Sequence, residues 1–407
     1  MVRVNGRPAQ LRERSEPEAP SRLRLAVYTD HLFWREGDAL YSDRVFALFA
    51  ARLASMVERF VFIARVDPQP GRSHYRMPDG IEVQPMPWVA DLSRPLDVVS
   101  MTLRSLRCFW RVLDDVEVVW LVGSYPVSLV FGVLASLRGK KVVLGVRQDL
   151  PRYARGRHPH RRWVHFVADA LDAMYRALSR VFGVIVVGPD LARHYARATR
   201  LLEISVSMID DEDIVSEQDA LARTYDGELT ILSVGRLDPE KNPLLLADVL
   251  ARLRRDDPRW RLVVCGDGPL EGELVDRLRA LGVAEHAELR GYLTLDDGLL
   301  ELYRRSHAFL HVSWTEGLPQ VLFEAFAAGL PIVATAVGGV PDGLGDAGLL
   351  IRPGDAEQAA VALERVALDQ QLREQLIARG LGRARAHTTD SETRRVAAFL
   401  AEKESEI

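Results

Sequence analysis

The chain has 407 residues, 48% of them hydrophobic and 27% charged, with a net charge of −4. That length exceeds what one core holds, since single cores stop growing near about 250 to 300 residues, so a lone small module and a wholly disordered chain are both excluded. Cys108 and Cys265 are the only cysteines, which excludes a disulfide framework and a four-cysteine zinc site.

Residues 1–21 form a polar arm with no apolar segment of the signal-peptide kind, and no later apolar run reaches the ~20 residues of a spanning helix. The expectation is a disordered arm on a cytoplasmic protein. Beyond it, apolar, β-branched runs of strand length at 23–29, 60–66, 116–123, 141–146 and 183–188 alternate with segments of helical period such as 43–58 and 163–180. Continuously apolar runs suit strands buried on both faces, so residues 22–208 read as one doubly wound α/β domain.

Charge is unevenly distributed. Residues 1–200 hold 31 basic against 20 acidic side chains and the remainder 22 against 37, so the two parts carry +11 and −15. Arg138 to Arg162 contains nine basic residues with Asp149 as its one acid. This stretch reads either as a solvated arginine-rich loop or as a surface for an anionic membrane or an acidic acceptor. No zinc-finger spacing or RNP-type aromatic signature accompanies it, so no nucleic acid is expected.

The acidic stretch 209–227 reads as a linker. After it, strand-like runs at 229–235, 261–266, 287–291, 308–313, 331–336 and 348–353 define a second Rossmann-like domain over 228–388. A helical tail, 389–407, is expected to fold back on the first domain. The fold class is therefore α/β, two doubly wound domains facing across a cleft, with ligands at the carboxyl ends of the strands.

Chemistry concentrates in the second domain. Glu316 follows a strand and Glu324 lies about a turn and a half into the next helix, so both carboxylates can face one ligand at that helix start. Unpaired N–H groups there suit a phosphate, and carboxylates, being acceptors, suit sugar hydroxyls. Arg236 ends the first strand of this domain and Lys241 precedes the next helix; together they suit a diphosphate, neutralising a leaving group without a metal.

These motifs, VGRLDPEKN (234–242), CGDGPLEGEL (265–274), LRGYL (289–293) and EGLPQVLFEAFAAGLPIVATAVGG (316–339), resemble the donor-binding domain of retaining GT-B glycosyltransferases of family 4. The resemblance implies a metal-independent enzyme, with no cofactor, that moves a sugar from a nucleoside-diphosphate sugar to an unknown glycan, lipid-linked or small-molecule acceptor. It implies that Arg236 and Lys241 hold the diphosphate and that Glu316 with Gly317, Leu318, Pro319, Gln320 and Val321 holds the sugar and phosphates. Glu324 would take the ribose hydroxyls, and Tyr292 with Leu293 would line the nucleobase pocket. The first domain departs from the family pattern. Its first loop, after residue 29, has only Gly37, and its strand at 141–146 runs into Arg147, Gln148 and Asp149 where a histidine is usual. Asp149 is the catalytic candidate there, with His31, Arg147 and Gln148 as acceptor-side candidates.

Three rivals are weighed against this reading. Gly266-x-Gly268 is a fragment of a dinucleotide fingerprint with Glu271 at its third glycine position. Asp211 and Asp213 resemble the metal-binding pair of a metal-dependent glycosyltransferase. A sugar-nucleotide epimerase or a non-catalytic nucleotide-sugar-binding protein would share the fold.

Overall fold

A computed structural model describes residues 21–42, 44–67, 75–87, 95–158 and 160–402. Of the arm expected at 1–21, all but Ser21 lies outside the described residues, as do residues 403–407 of the tail. The chain divides into two compact units, one running to Val206 and resuming at Glu392, the other Ser207–Ser391.

The first unit is built on nine strands among the described residues: β1 (Ser21–Glu36), β2 (Ala39–Ser42), β3 (Val57–Asp67), β4 (Tyr75–Arg76), β5 (Glu82–Met86), β6 (Val118–Val122), β7 (Lys141–Val146), β8 (Gly183–Val187) and β9 (Leu201–Ile204). Seven of them pair in parallel in the order β5-β3-β1-β6-β7-β8-β9. β6 is buried at every position, as a strand covered by helices on both faces must be. The five expected strands are all present.

The loop expected after residue 29 is instead strand. β1 runs on to Glu36, turns at Gly37 (φ 60°) and pairs antiparallel with β2. Polar residues at 30, 31, 35 and 36 interrupt the hydrophobic pattern, while Phe33 between them is fully buried and pairing with β2 and β3 holds the segment.

The second unit carries β10 (Leu229–Val234), β11 (Trp260–Cys265), β12 (Ala287–Leu289), β13 (Ala308–His311), β14 (Ile332–Thr335) and β15 (Gly348–Ile351), all parallel, in the order β12-β11-β10-β13-β14-β15. These match the six expected strands. The order runs outward from β10 one way and from β13 the other, so the crossover connections diverge between β10 and β13. A crevice opens there outside the strands' carboxyl ends, the place where such sheets bind ligands.

Residues 209–227 are not a free linker. Ile209 is fully buried in the core of the second unit, and Ala220 packs with Ile377 and Leu381. The Arg223 guanidinium donates to the carbonyls of Arg304, Ala328 and Gly329 at 2.8 to 3.1 Å. The acidic composition that suggests solvent reflects helix starts: Asp210 and Asp213 close a reciprocal capping box, and Ser216 caps helix Glu217–Leu221.

Helix Thr389–Ala401 packs on the first unit's sheet. Phe399 is buried, and Lys141 Nζ donates to the carbonyls of Phe399 (3.1 Å), Leu400 (2.8 Å) and Glu402 (2.6 Å) at the helix end. A cation at a helix C-terminus meets both unpaired carbonyls and the negative end of the dipole. No helix among the described residues is long and apolar enough to cross a membrane.

Candidate functional site

Two loops meet at the divergence point of the second sheet. The first leaves β10 through Gly235 and Arg236 and makes a short 3-10 turn, Pro239–Lys241, closed by Asn242 in the left-handed conformation (φ 52°, ψ 45°). Asparagine tolerates that region better than most side chains do. The second loop leaves β13 through Val312 and Ser313 and reaches helix Gln320–Ala327, whose first-turn N–H groups have no side-chain cap and, as at every helix start, no partner within the helix.

The loops are joined by one buried ion pair. Lys241 Nζ donates to Glu316 Oε1 at 2.6 Å, with 22% and 7% of the two side chains exposed. Ser313 Oγ donates to the same oxygen at 2.6 Å. His311 Nε2 lies 3.0 Å from it as well. Burial alone would raise the Glu316 pKa; His311 and Lys241 outweigh it and hold the carboxyl at about 2. All these contacts fall on Oε1, and Oε2 is left for a ligand.

The backbone of this loop is fixed from the β14 side. Gly338 has φ 51°, and a Cβ there would stand 1.9 Å from the Glu316 carbonyl oxygen; Gly339 N–H donates to the Gly317 carbonyl at 2.9 Å. Only glycine permits that approach. Gly317 is exposed, Leu318, Gln320 and Val321 are partly so, and Pro319 is buried at the helix N-cap.

An open cavity of about 310 Å³ lies at this junction, lined among others by Gly235, Arg236, Lys241, His311 and Ser313. Arg236 and Lys241 therefore share one cavity. Arg236 is not free in it, however: its side chain is 63% exposed and its guanidinium is engaged by Asp238 and by Glu240 (2.6 Å). A diphosphate would have to displace these acids.

Glu324 accepts from the buried Tyr303 hydroxyl at 2.8 Å. Burial drives its pKa up to about 7, with Tyr303 only partly offsetting the shift. Tyr292 and Leu293 follow β12, where the Gly291 carbonyl accepts from Gly266 N–H (2.7 Å), placing them at the carboxyl end of the sheet beside β11. Gly266 has φ 139°, and a Cβ would stand 1.9 Å from the Gly235 carbonyl oxygen. That contact explains the glycine without a dinucleotide.

In the first unit the structure brings together two of the four candidates. His31 on β1 meets the Arg147 guanidinium just past β7. Burial, reinforced by Arg147, Arg44 and Arg65, pulls the His31 pKa down to about 3. Arg147 lies over the Phe46 ring (4.8 Å), and its Nε has no partner among the described residues. Gln148 is exposed. Asp149 is exposed too, and its carboxylate accepts from Arg152 N–H (2.9 Å) as the N-cap of helix Leu150–Arg157.

Of the pair in the metal reading, Asp213 is buried and its carboxylate accepts from Asp210 N–H (3.0 Å) as part of the capping box. Sequence reasoning missed His311, Ser313 and Tyr303. His311 ends β13 and Ser313 stands two residues on, so their shared side was a readable signal; Tyr303 comes from a different helix and gave none.

Residues 216–383 match the family model described as glycosyl transferases group 1. The chain is 28% identical to the Arabidopsis thaliana sulfoquinovosyl transferase SQD2 over 62% of its own length and 50% of that protein. It is 38% identical to the D-inositol 3-phosphate glycosyltransferase of Actinosynnema mirum over 40% of its length and 42% of that protein. These matches thus span half or less of the curated relatives. Among solved structures, Anabaena Alr3699/HepE in complex with UDP and glucose superposes with a TM-score of 0.66 at 16% identity, covering 94% of this chain and 100% of that one. WaaG, a glycosyltransferase involved in lipopolysaccharide biosynthesis, gives 0.64 at 17%, covering 93% and 100%. At such identity the likeness establishes a shared fold.

Proposed function

We propose that this chain, with its GT-B fold and its glycosyl transferases group 1 match at residues 216–383, is a retaining, metal-independent glycosyltransferase of family 4 that uses a nucleoside-diphosphate sugar. The observation that carries the reading is the buried Lys241–Glu316 pair at the divergence of β10 and β13. It sets a cation and an acceptor oxygen side by side, which is what a sugar esterified to a diphosphate requires. HepE was solved with UDP and with UDP-glucose, which supports the donor class.

In this reading the diphosphate lies against Lys241, Arg236 and the N–H groups of Gly317, Leu318, Gln320 and Val321. Glu316 Oε2 accepts from a sugar hydroxyl, and Glu324 takes the ribose. As the glycosidic bond breaks, the anomeric carbon becomes oxocarbenium-like and negative charge grows on the departing diphosphate. Lys241 and Arg236 stabilise that charge more in the transition state than in the ground state, and that difference is catalysis. The acceptor hydroxyl attacks from the face the diphosphate leaves, giving its proton to the diphosphate, so configuration is retained. By the same resemblance His31, Arg147 and Gln148 are the acceptor-side candidates. Turnover insensitive to EDTA and an unchanged anomeric configuration by proton NMR would support these finer points.

The test is a thermal-shift panel of nucleoside-diphosphate sugars, since ligand binding raises the melting temperature by mass action. At least one should stabilise the chain. Lys241→Ala should cost about 2 kcal/mol of stability, because it removes the lysine cation from the buried Glu316 carboxylate, and should weaken the stabilising donor at least about tenfold. A donor that binds Lys241→Ala as tightly as wild type would overturn the reading.

A further inference from the structure

We infer that the solvent face of helix Arg162–Leu178, together with helix Leu150–Arg157 beside it, is a docking surface for an anionic lipid bilayer. The inference goes beyond the donor reading and uses no residue of the donor site.

Helix Arg162–Leu178 has two apolar stripes where a surface helix normally has one. Ala168, Leu171 and Tyr175 are buried against the sheet. On the other side Trp163 is 67% exposed, Phe166 74%, Val167 48% and Met174 46%, at the spacing of a continuous helical face. Tyr153, 45% exposed, comes from the neighbouring helix, which is tied on by Arg155 Nη2 to Asp169 (2.7 Å) and by His165 Nε2 to the His158 carbonyl (2.8 Å). Aromatic side chains grouped in this way leave water for an interface readily.

Charge selects the occupant. The stretch read from sequence as uniformly basic is divided in the structure. Arg138 pairs with Asp114 and lies over Trp110, Lys141 holds the Thr389–Ala401 helix, Arg147 faces His31, and Arg155 is neutralised by Asp169. Arg152, Arg157, Arg161 and Arg162 make no side-chain hydrogen bond or ion pair among the described residues, and they frame the exposed aromatics. A second copy docking through the same face would bring these four cations against their own equivalents. A layer of phosphate headgroups over acyl chains complements both the cations and the aromatic side chains.

The test is cosedimentation of the full chain with vesicles of phosphatidylcholine alone or mixed with phosphatidylglycerol. The chain should pellet with the mixed vesicles only, and high salt should release it. Trp163→Ser/Phe166→Ser and, separately, Arg157→Glu/Arg161→Glu/Arg162→Glu should each lower the partition about tenfold with an unchanged melting temperature. Quenching of tryptophan fluorescence by brominated lipid should be strong in the wild type and fall sharply in Trp163→Phe, a readout that needs no altered surface charge. Equal partition on neutral vesicles, no partition at all, or quenching indifferent to Trp163→Phe would overturn the inference. So would a Trp163→Ser/Phe166→Ser chain that turns from dimer to monomer while its vesicle binding is unchanged.

Discussion

Glu316 and Glu324 share one loop and helix yet titrate in opposite directions, because their neighbours differ. Glu316 has a lysine, a histidine and a hydroxyl on one oxygen and stays charged; Glu324 has a phenol and apolar surroundings and tends to hold its proton. The sign of the second effect is testable. An unfolded carboxyl titrates near 4.5 and the folded one near 7, so between these values the native state binds the proton that the unfolded state has lost. Stability therefore falls as pH rises through that window, by about 3 kcal/mol from this group. Glu324→Gln has no such titration: its melting temperature at pH 8 should exceed that of the wild type and its pH profile should be flatter, while nucleotide affinity drops about tenfold. A Gln variant that melts lower at pH 8, or binds nucleotide unchanged, would contradict both assignments.

At the scale of elements, the site depends on two loops whose shapes are set by glycines and short turns. Gly338→Ala should push the Glu316 loop away from the β14 side, since the new methyl would meet a carbonyl oxygen at 1.9 Å on a backbone with φ 51°. The expected outcome is a loss of about 1 to 3 kcal/mol with a larger loss of donor binding, read by denaturant unfolding and calorimetry. Normal donor binding with normal stability would show that the loop is not under this constraint.

Legibility in the sequence follows the same division. The strands themselves were readable because buried parallel strands are continuously apolar, and Arg236 and Lys241 could be placed near one another because both follow the end of one such strand. The partners His311, Ser313 and Tyr303 were not, because which side chains share a buried oxygen depends on the pairing of β10 with β13 and on a helix distant in sequence. The exposed stripe of helix Arg162–Leu178 was also hidden: Trp163 and Phe166 have the spacing of core residues, and only the packing shows which stripe faces the sheet.

Across the whole molecule, the chain passes between its two units twice, near residues 206 and 391, and the first unit is completed by the last helix. Phe399 fills the space left by Gly183, where a Cβ would stand 3.3 Å from the ring, and the Arg200 guanidinium lies over the Phe399 ring at 4.7 Å. Phe399→Ala should cost about 3 to 5 kcal/mol. Hydrogen exchange should quicken in β7, β8 and β9, while the Glu316 loop keeps its protection; loosening spread evenly over both units would refute this local role. The consequence reaches back to biosynthesis. A ribosome delivers the whole second unit before it delivers Phe399, so the amino-terminal sheet must wait, with Gly183 uncovered and Lys141 lacking its carbonyls, until that unit has been made.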